Sequence, residues 1–291
     1  MLNKIDVIFN NLILKLRNFL LNYNNLEINS KLLIDSIKKN LLKRNLPSYI
    51  LDGYRVYSQN DEDGIINSIF NDIGFDKKIF VEIGVGNGVE NNTHNLILQD
   101  WTGVWIDSNT SSLKKIENKL NNNKLILENK KITPDNINET ISYTLKNLFN
   151  DTSFNVDFLS IDIDSFDIFC IEKLNIINPR LICIEYNSKF PPPINISINP
   201  NKNFEWNHDD YNGASLFFIN NKLNQKGYKL VSTNITGVNA FFVADKYYNK
   251  CKTKNQNLEQ LYMPSNYNLF NYYQSHRPSL KYLFDKLDTE N

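Results

Sequence analysis

The 291-residue chain predicts an α/β fold: a Rossmann-like, seven-stranded, mostly parallel sheet ending in an antiparallel hairpin, with a helical extension in front. Three observations predict it. From residue 79 to about 186, short apolar runs alternate with helix-period segments, which implies parallel strands joined by right-handed crossovers. The first apolar run leads into Glu82-Ile-Gly84-Val-Gly86-Asn-Gly88, a glycine loop between strand and helix. The last two runs, Tyr228–Thr233 and Val238–Ala244, are separated only by Asn234–Gly237, a gap suited to a hairpin.

Residues 3–22 place Ile5, Ile8, Leu12, Leu16 and Phe19 on one narrow helical arc, a cover helix or a packing surface for another subunit; few Lys and Arg on an Asn-dominated polar face disfavour a membrane-surface helix. Ser30 is expected to cap a second helix over 31–44, stopped by Asn45-Leu46-Pro47. A helix over 61–72 carries Ile65, Ile66, Ile69 and Phe70. Strands are expected at 79–84, 103–107, 124–128, 156–162, 180–186, 228–233 and 238–244, and helices at 91–100, 110–121, 135–149 and 167–174. The domain organisation is a helical extension over 1–50, a catalytic domain over 51–245 and a C-terminal extension over 246–291.

Composition narrows the function. Lys+Arg 32 against Asp+Glu 32 leaves no basic field, which argues against nucleic acid as a partner. Cys170, Cys183 and Cys251 have no ligand spacing and read as reduced thiols of a cytoplasmic protein. No stretch is long and apolar enough to span a bilayer, and Asn and Lys interrupt any signal-like N-terminal run.

The glycine loop sits about twenty residues before Asp107, which ends Gly103-Val-Trp-Ile-Asp107. Glycines let a backbone approach a ligand, and a carboxylate at the end of the second strand accepts from ribose hydroxyls. Glu82, Gly84, Gly86, Gly88 and Asp107 are therefore candidates to bind an adenosine cofactor. Gln59, just upstream, either folds back over that ligand or belongs to a helix start capped by Asn60 or Asp61. Asn92 and Thr93 either cap the next helix or reach the ligand. Asp162 and Asp164 follow the fourth strand, and Glu185 and Asn187 end the fifth. Strand ends line the crevice of an open α/β sheet, so the three carboxylates should meet and need a proton or a hard cation such as Mg²⁺. Asp162 could alternatively orient the cofactor, or Asp162 or Asp164 act as base. Asp167 reads as a helix N-terminal acid. In the polar, aromatic loop Glu205–Ser215, His208 is a candidate base and Tyr211, with Asn187, a candidate substrate contact. Trp206, Tyr186 and Phe190 could stack on a sugar, though they serve equally as core or wall. His94 reads as an exposed helix residue, and His276 has no role.

The spacing of Gly84, Gly86 and Gly88 with a closing hairpin resembles class I S-adenosylmethionine (SAM) methyltransferases more than the G-x-G-x-x-G of dinucleotide-binding domains. Ser58-Gln59-x-Asp61-Glu62-Asp63-Gly64, Phe80-Val-Glu-Ile-Gly84, Asn92-Thr93, Trp101-Thr-Gly-Val-Trp-Ile-Asp107, Leu159-Ser-Ile-Asp-Ile-Asp164, Pro179-Arg180, Ile184-Glu-Tyr-Asn187, Tyr211-x-Gly-Ala-Ser215 and Gly237-x-Asn-Ala-Phe-Phe242 together resemble the FkbM-like methyltransferases of bacterial polysaccharide and capsule gene clusters. The resemblance spans about residues 54–245 and implies SAM as donor and a saccharide or nucleotide-linked sugar hydroxyl as acceptor. The acids and Asn after strands four and five are also similar to those of catechol-type, metal-dependent O-methyltransferases. Asp162-Ile-Asp164 fits a D-x-D pattern too, which keeps a metal-dependent glycosyltransferase using a nucleotide sugar open as the competing reading. A non-catalytic scaffold is disfavoured by the intact glycines and clustered acids.

Overall fold

The computed structural model describes residues 25–120, 124–149, 155–200, 206–270 and 278–288. The amphipathic stretch 3–22 lies outside them. Helix α1 occupies 25–43 and runs through Ser30, which is buried inside it. The expected Ser30 cap is thus corrected: Glu27 and Lys31 form an i,i+4 ion pair at 2.6 Å across that position, continuing the helix.

Seven strands form one sheet: β1 (Ile79–Ile83), β2 (Thr102–Asp107), β3 (Leu125–Asn129), β4 (Phe158–Ile161), β5 (Leu181–Glu185), β6 (Tyr228–Thr233) and β7 (Asn239–Ala244). Their order is β3-β2-β1-β4-β5-β7-β6. The first five are parallel, and β7 runs antiparallel between β5 and β6. This is the arrangement of the class I methyltransferase fold. The connecting helices are α2 (Glu62–Ile73), α3 (His94–Leu98), α4 (Thr110–Glu117), α5 (Ile137–Phe149), α6 (Asp167–Lys173) and α7 (Leu216–Gln225).

The strands are apolar on both faces because helices cover both. On one face Ile79, Val81 and Ile83 join Val104, Leu159 and Ile182, packed by Ile141, Ile171 and Ile219 of α5, α6 and α7. On the other, Phe80 joins Trp105, Phe158 and Phe241, packed by Ile69 of α2, Leu96 of α3 and Ile116 of α4. Burial of each such side chain contributes roughly 1.5–3 kcal/mol.

The stretch beyond β7 is built into this core. It forms α8 (Asp245–Tyr248), α9 (Leu258–Leu261) and α10 (Lys281–Asp288). Leu283 and Leu287 of α10 are buried in the second layer. Thr233 donates its hydroxyl to Leu261 O at 2.7 Å, and Asn266 N–H donates to Thr236 O at 2.8 Å. A Cβ on Gly237 would lie 2.5 Å from Pro264 O, so glycine permits this close approach to the hairpin. Leu41 of α1 packs with Ile50, Ile235 and Met263, fastening α1 to the same turn, while its Leu26, Ile28, Leu32, Leu33 and Leu42 are exposed. No helix of the described residues is long and apolar enough to cross a membrane.

Candidate functional site

Register brings the polar residues together. Ile106, Ile83, Ile161 and Ile184 are aligned across β2, β1, β4 and β5. One residue further along each strand come Asp107, Gly84, Asp162 and Glu185, a row at the carboxyl edge of the sheet. β1 and β4 lie side by side at the point where the strand order reverses, the place where an open α/β sheet leaves a crevice.

The three glycines of the loop do different work. A Cβ on Gly84 (φ +88°) would sit 1.6 Å from Asp162 O, so its bareness lets the β1 and β4 ends touch. A Cβ on Gly88 (φ +72°) would meet the Trp105 ring at 2.8 Å, so that glycine serves packing. Gly86 (φ +56°) is exposed, with no atom within 4 Å of where a Cβ would stand. Only Gly86 therefore offers open backbone to a ligand. Its N–H donates to Asp107 Oδ2 at 2.7 Å, and Asp107 Oδ1 accepts from Asn109 N–H at 2.7 Å. Each carboxylate oxygen keeps a lone pair, so half-buried Asp107 can still receive two neighbouring hydroxyls. An adenosine ribose fits that donor–acceptor pattern, and the bare Gly86 backbone fits a closely lying ligand.

Glu82 lies beneath this loop. Its Oε1 accepts from Asn92 N–H at 2.7 Å, and its Oε2 from Thr93 N–H at 3.0 Å and Thr93 Oγ1 at 2.5 Å. Trp105 Nε1 in turn donates to Thr93 Oγ1 at 2.7 Å, and Asn92 Nδ2 to Ser160 Oγ at 3.0 Å. Glu82 is buried, and its bonds act on the loop's return to α3. Burial pushes its carboxyl up to about 7. Asn92 and Thr93 are capped by Glu82 from β1, and α3 accordingly starts only at His94. His94 is fully buried, correcting the expectation of an exposed residue. Its ring stacks on Tyr57 at 3.6 Å, and its Nδ1 meets Gly88 O at 3.1 Å.

The segment before α2 is a buried polar staple. Asp63 Oδ2 accepts from the N–H groups of Val56, Tyr57 and Ser58 at 2.7–2.8 Å and from Ser58 Oγ at 2.9 Å. Glu62 Oε1 accepts from Asn60, Asn234 and Asn239 side-chain amides at 3.1, 2.7 and 3.0 Å. Asp61 stands at the N-cap position but makes no cap bond; its carboxylate accepts from Ile235 N–H at 3.2 Å. Burial, with Glu62 beside it, pushes Asp61 up to about 8. Gln59 projects to the surface.

Asp162, Asp164 and Glu185 converge, with one oxygen of each within 4.8 Å of the others. Strand β4 ends at Ile161, so both aspartates lie beyond its alternation. Asp164 instead adopts φ +58°, a left-handed turn that folds it back, and such backbone gathers at functional sites. Asp167 holds this turn: its Oδ1 accepts from Ile163 N–H at 2.9 Å and its Oδ2 from Ser165 N–H at 3.1 Å. Burial raises Asp162 and Glu185 well above the carboxylate range, with their acidic neighbours adding to the shift, and raises Asp167 to about 6. An oxygen-only set of this kind can hold a proton or a hard divalent cation.

After β5, Asn187 ties down the next loop. Its Nδ2 donates to Asp210 O and Asn212 O, both at 3.0 Å, and its Oδ1 accepts from Lys189 N–H at 3.2 Å. That amide positions the loop. Tyr211 is half-exposed and accepts at its hydroxyl from Asn199 N–H at 2.9 Å. His208 is exposed at φ +61° with its ring 4.6 Å from that of Trp206. Tyr186 is core: it is buried and its hydroxyl donates to Met263 O at 2.7 Å. The roles of Glu62, Asp63 and His94 were not assigned from the sequence, where the first two stood only within the Ser58–Gly64 motif and His94 read as an exposed helix residue.

No protein-family model and no curated protein matches this chain. Among solved structures it is similar to a candidate SAM-dependent methyltransferase from Listeria monocytogenes (12% identity, 62% of this chain and 99% of that one, TM-score 0.38). It is also similar to an O-methyltransferase family protein from Burkholderia thailandensis (10%, 62% and 55%, TM-score 0.36) and a SAM-dependent methyltransferase from Aquifex aeolicus (12%, 71% and 97%, TM-score 0.34). Likenesses this distant carry no functional argument, and the fold assignment rests on strand order and register.

Proposed function

We propose that the chain is a SAM-dependent O-methyltransferase acting on a hydroxyl of a saccharide or nucleotide-linked sugar. The observation that carries the donor is the pairing of the open Gly86 backbone with Asp107, whose oxygens each keep a lone pair for a ribose hydroxyl. When bound, SAM supplies an electrophilic methyl group. The chain's own residues then orient the nucleoside, align the acceptor and take its hydroxyl proton.

The proton acceptor in this reading belongs to the Asp162–Asp164–Glu185 group. Three crowded carboxyls cannot all ionise cheaply; burial and mutual repulsion raise Asp162 and Glu185 well above the carboxylate range, so the group can share a proton and still offer a basic oxygen. If a Mg²⁺-type cation is bound, Asp162, Asp164 and Glu185 would hold it in place of a shared proton, and it would make an acceptor hydroxyl more acidic. His208, on the loop that Asn187 fastens beside β5, is the second candidate base. The sugar class, the FkbM-like assignment and a place in surface polysaccharide synthesis rest on the motif resemblance alone. The glycosyltransferase reading explains the acids but gives no task to Gly86 and Asp107.

The test is incubation with methyl-labelled SAM and a panel of nucleotide sugars and capsule-type oligosaccharides. Label transferred to a sugar hydroxyl is expected. Saturable binding of nucleotide sugar with no binding of SAM would overturn the proposal.

A further inference from the structure

Among the described residues, five buried side-chain atoms lack any hydrogen-bond partner: Asp63 Oδ1, both amide atoms of Asn91, His94 Nε2 and Asn212 Oδ1. Four of the five belong to residues at one corner. Tyr57 joins two of them, since its N–H donates to Asp63 Oδ2 at 2.8 Å and its ring stacks on His94 at 3.6 Å. Asn91 directly precedes Asn92, whose N–H meets Glu82, and the charge of Asp63 reaches Glu82. The corner therefore lies where the 56–63 staple crosses the return of the glycine loop. Asp63, Asn91 and His94 are 2%, 5% and 0% exposed. Each unmet polar atom in such a place costs roughly 1–3 kcal/mol, so four together need an explanation.

The chemistry of the unmet atoms identifies what they lack. Gly88 O can only accept, so the proton of His94 sits on Nδ1. Burial pushes His94 down to about 4, so at neutral pH its Nε2 is a bare lone pair. Asp63 Oδ1 and Asn91 Oδ1 are acceptors as well, and Asn91 Nδ2 is the lone donor group. Three acceptors beside one donor complement a primary ammonium with an adjoining carboxylate.

We propose that Asp63, Asn91 and His94 form the recess for the α-amino-acid end of the donor, the ammonium meeting Asp63 Oδ1, His94 Nε2 and Asn91 Oδ1, and the carboxylate meeting Asn91 Nδ2. This rests on the reading of the Gly86–Asp107 crevice as a SAM site. Entry requires the half-buried Tyr57 ring to swing off His94, with exposed Val56 and Gln59 to either side.

The test is calorimetric titration of the full chain with S-adenosylhomocysteine and with 5′-methylthioadenosine, which has the nucleoside and sulfur but no amino-acid group. Asn91→Ala removes an amide that makes no bond, so the thermal midpoint should hold. This variant should weaken S-adenosylhomocysteine by about tenfold or more while leaving 5′-methylthioadenosine within about twofold. His94→Phe keeps the stack on Tyr57 and should show the same split. If both ligands bind the variants as they bind the wild type, the corner holds only ordered water and the proposal fails while the SAM reading stands. If the wild type binds neither ligand, the SAM reading falls and takes the proposal with it.

Discussion

The two halves of the crevice are built differently. On the β1–β2 side, side chains fix the backbone over long distances: Glu82 holds Asn92 and Thr93, Asp107 holds Gly86, and Asp63 holds three successive N–H groups. Beyond β5, the loop carrying His208 and Tyr211 is exposed, fastened chiefly through Asn187 and a surface Lys189–Asp210 pair. Surface pairs of that kind contribute little. The contrast suits a site whose donor is invariant and whose acceptor is set by loop chemistry.

The sharpest way to break the contrast is within the glycine loop. Gly84→Ala drives a Cβ into the Asp162 carbonyl and should cost about 3 kcal/mol or more in urea denaturation. Gly86→Ala has free space and should cost about 1 kcal/mol, from its positive φ alone. Equal losses would refute the assignment of separate tasks to the two glycines.

Next in size are the acids. Asp164→Ala and Glu185→Ala should lower turnover by about 100-fold or more while leaving donor affinity within about threefold, as read by kinetics beside calorimetry. EDTA decides between proton and cation: activity lost and restored by Mg²⁺ assigns a cation, and unchanged activity assigns a proton.

The buried carboxyls also predict a pH dependence. Asp61, Glu82 and Asp167 are raised to about 8, 7 and 6 in the fold, so the native state binds more protons than the unfolded chain between their ordinary values and these. Stability is therefore full below their unfolded pKa values and falls as pH rises through the folded ones. The thermal midpoint should drop from pH 5 to 8, and Asp61→Asn should flatten the upper part of that slope. A midpoint rising over the interval would contradict the burial argument. Smallest is His208→Ala: with the carboxyls as base, kcat should fall by less than about tenfold. A larger fall that tracks an imidazole titration would move the base to the loop.

The strands were legible because each is a short apolar run bounded by polar or glycine residues, and all seven lie within two residues of expectation at either end. Asp107 and the acid cluster were legible because strand ends converge by register. What sequence could not reveal is direction. Glu82 alternates with Ile83 as any strand residue does, and nothing local shows that it points under the loop at residues ten places on. His94 looked exposed because a five-residue helix has too little periodicity to mark its buried side. Asp164 joined Asp162 through a left-handed turn, which spacing does not encode.

The central claim is that Gly86 and Asp107 receive the adenosine of SAM. Calorimetric titration of S-adenosylhomocysteine into the wild type and into Gly86→Asp tests it most directly, with circular dichroism to verify the fold. The wild type should bind saturably at one site per chain, and the folded variant should show no heat of binding, because a carboxylate would occupy the open space facing Asp107. Undiminished affinity in the folded variant, or no binding by the wild type, would contradict the account.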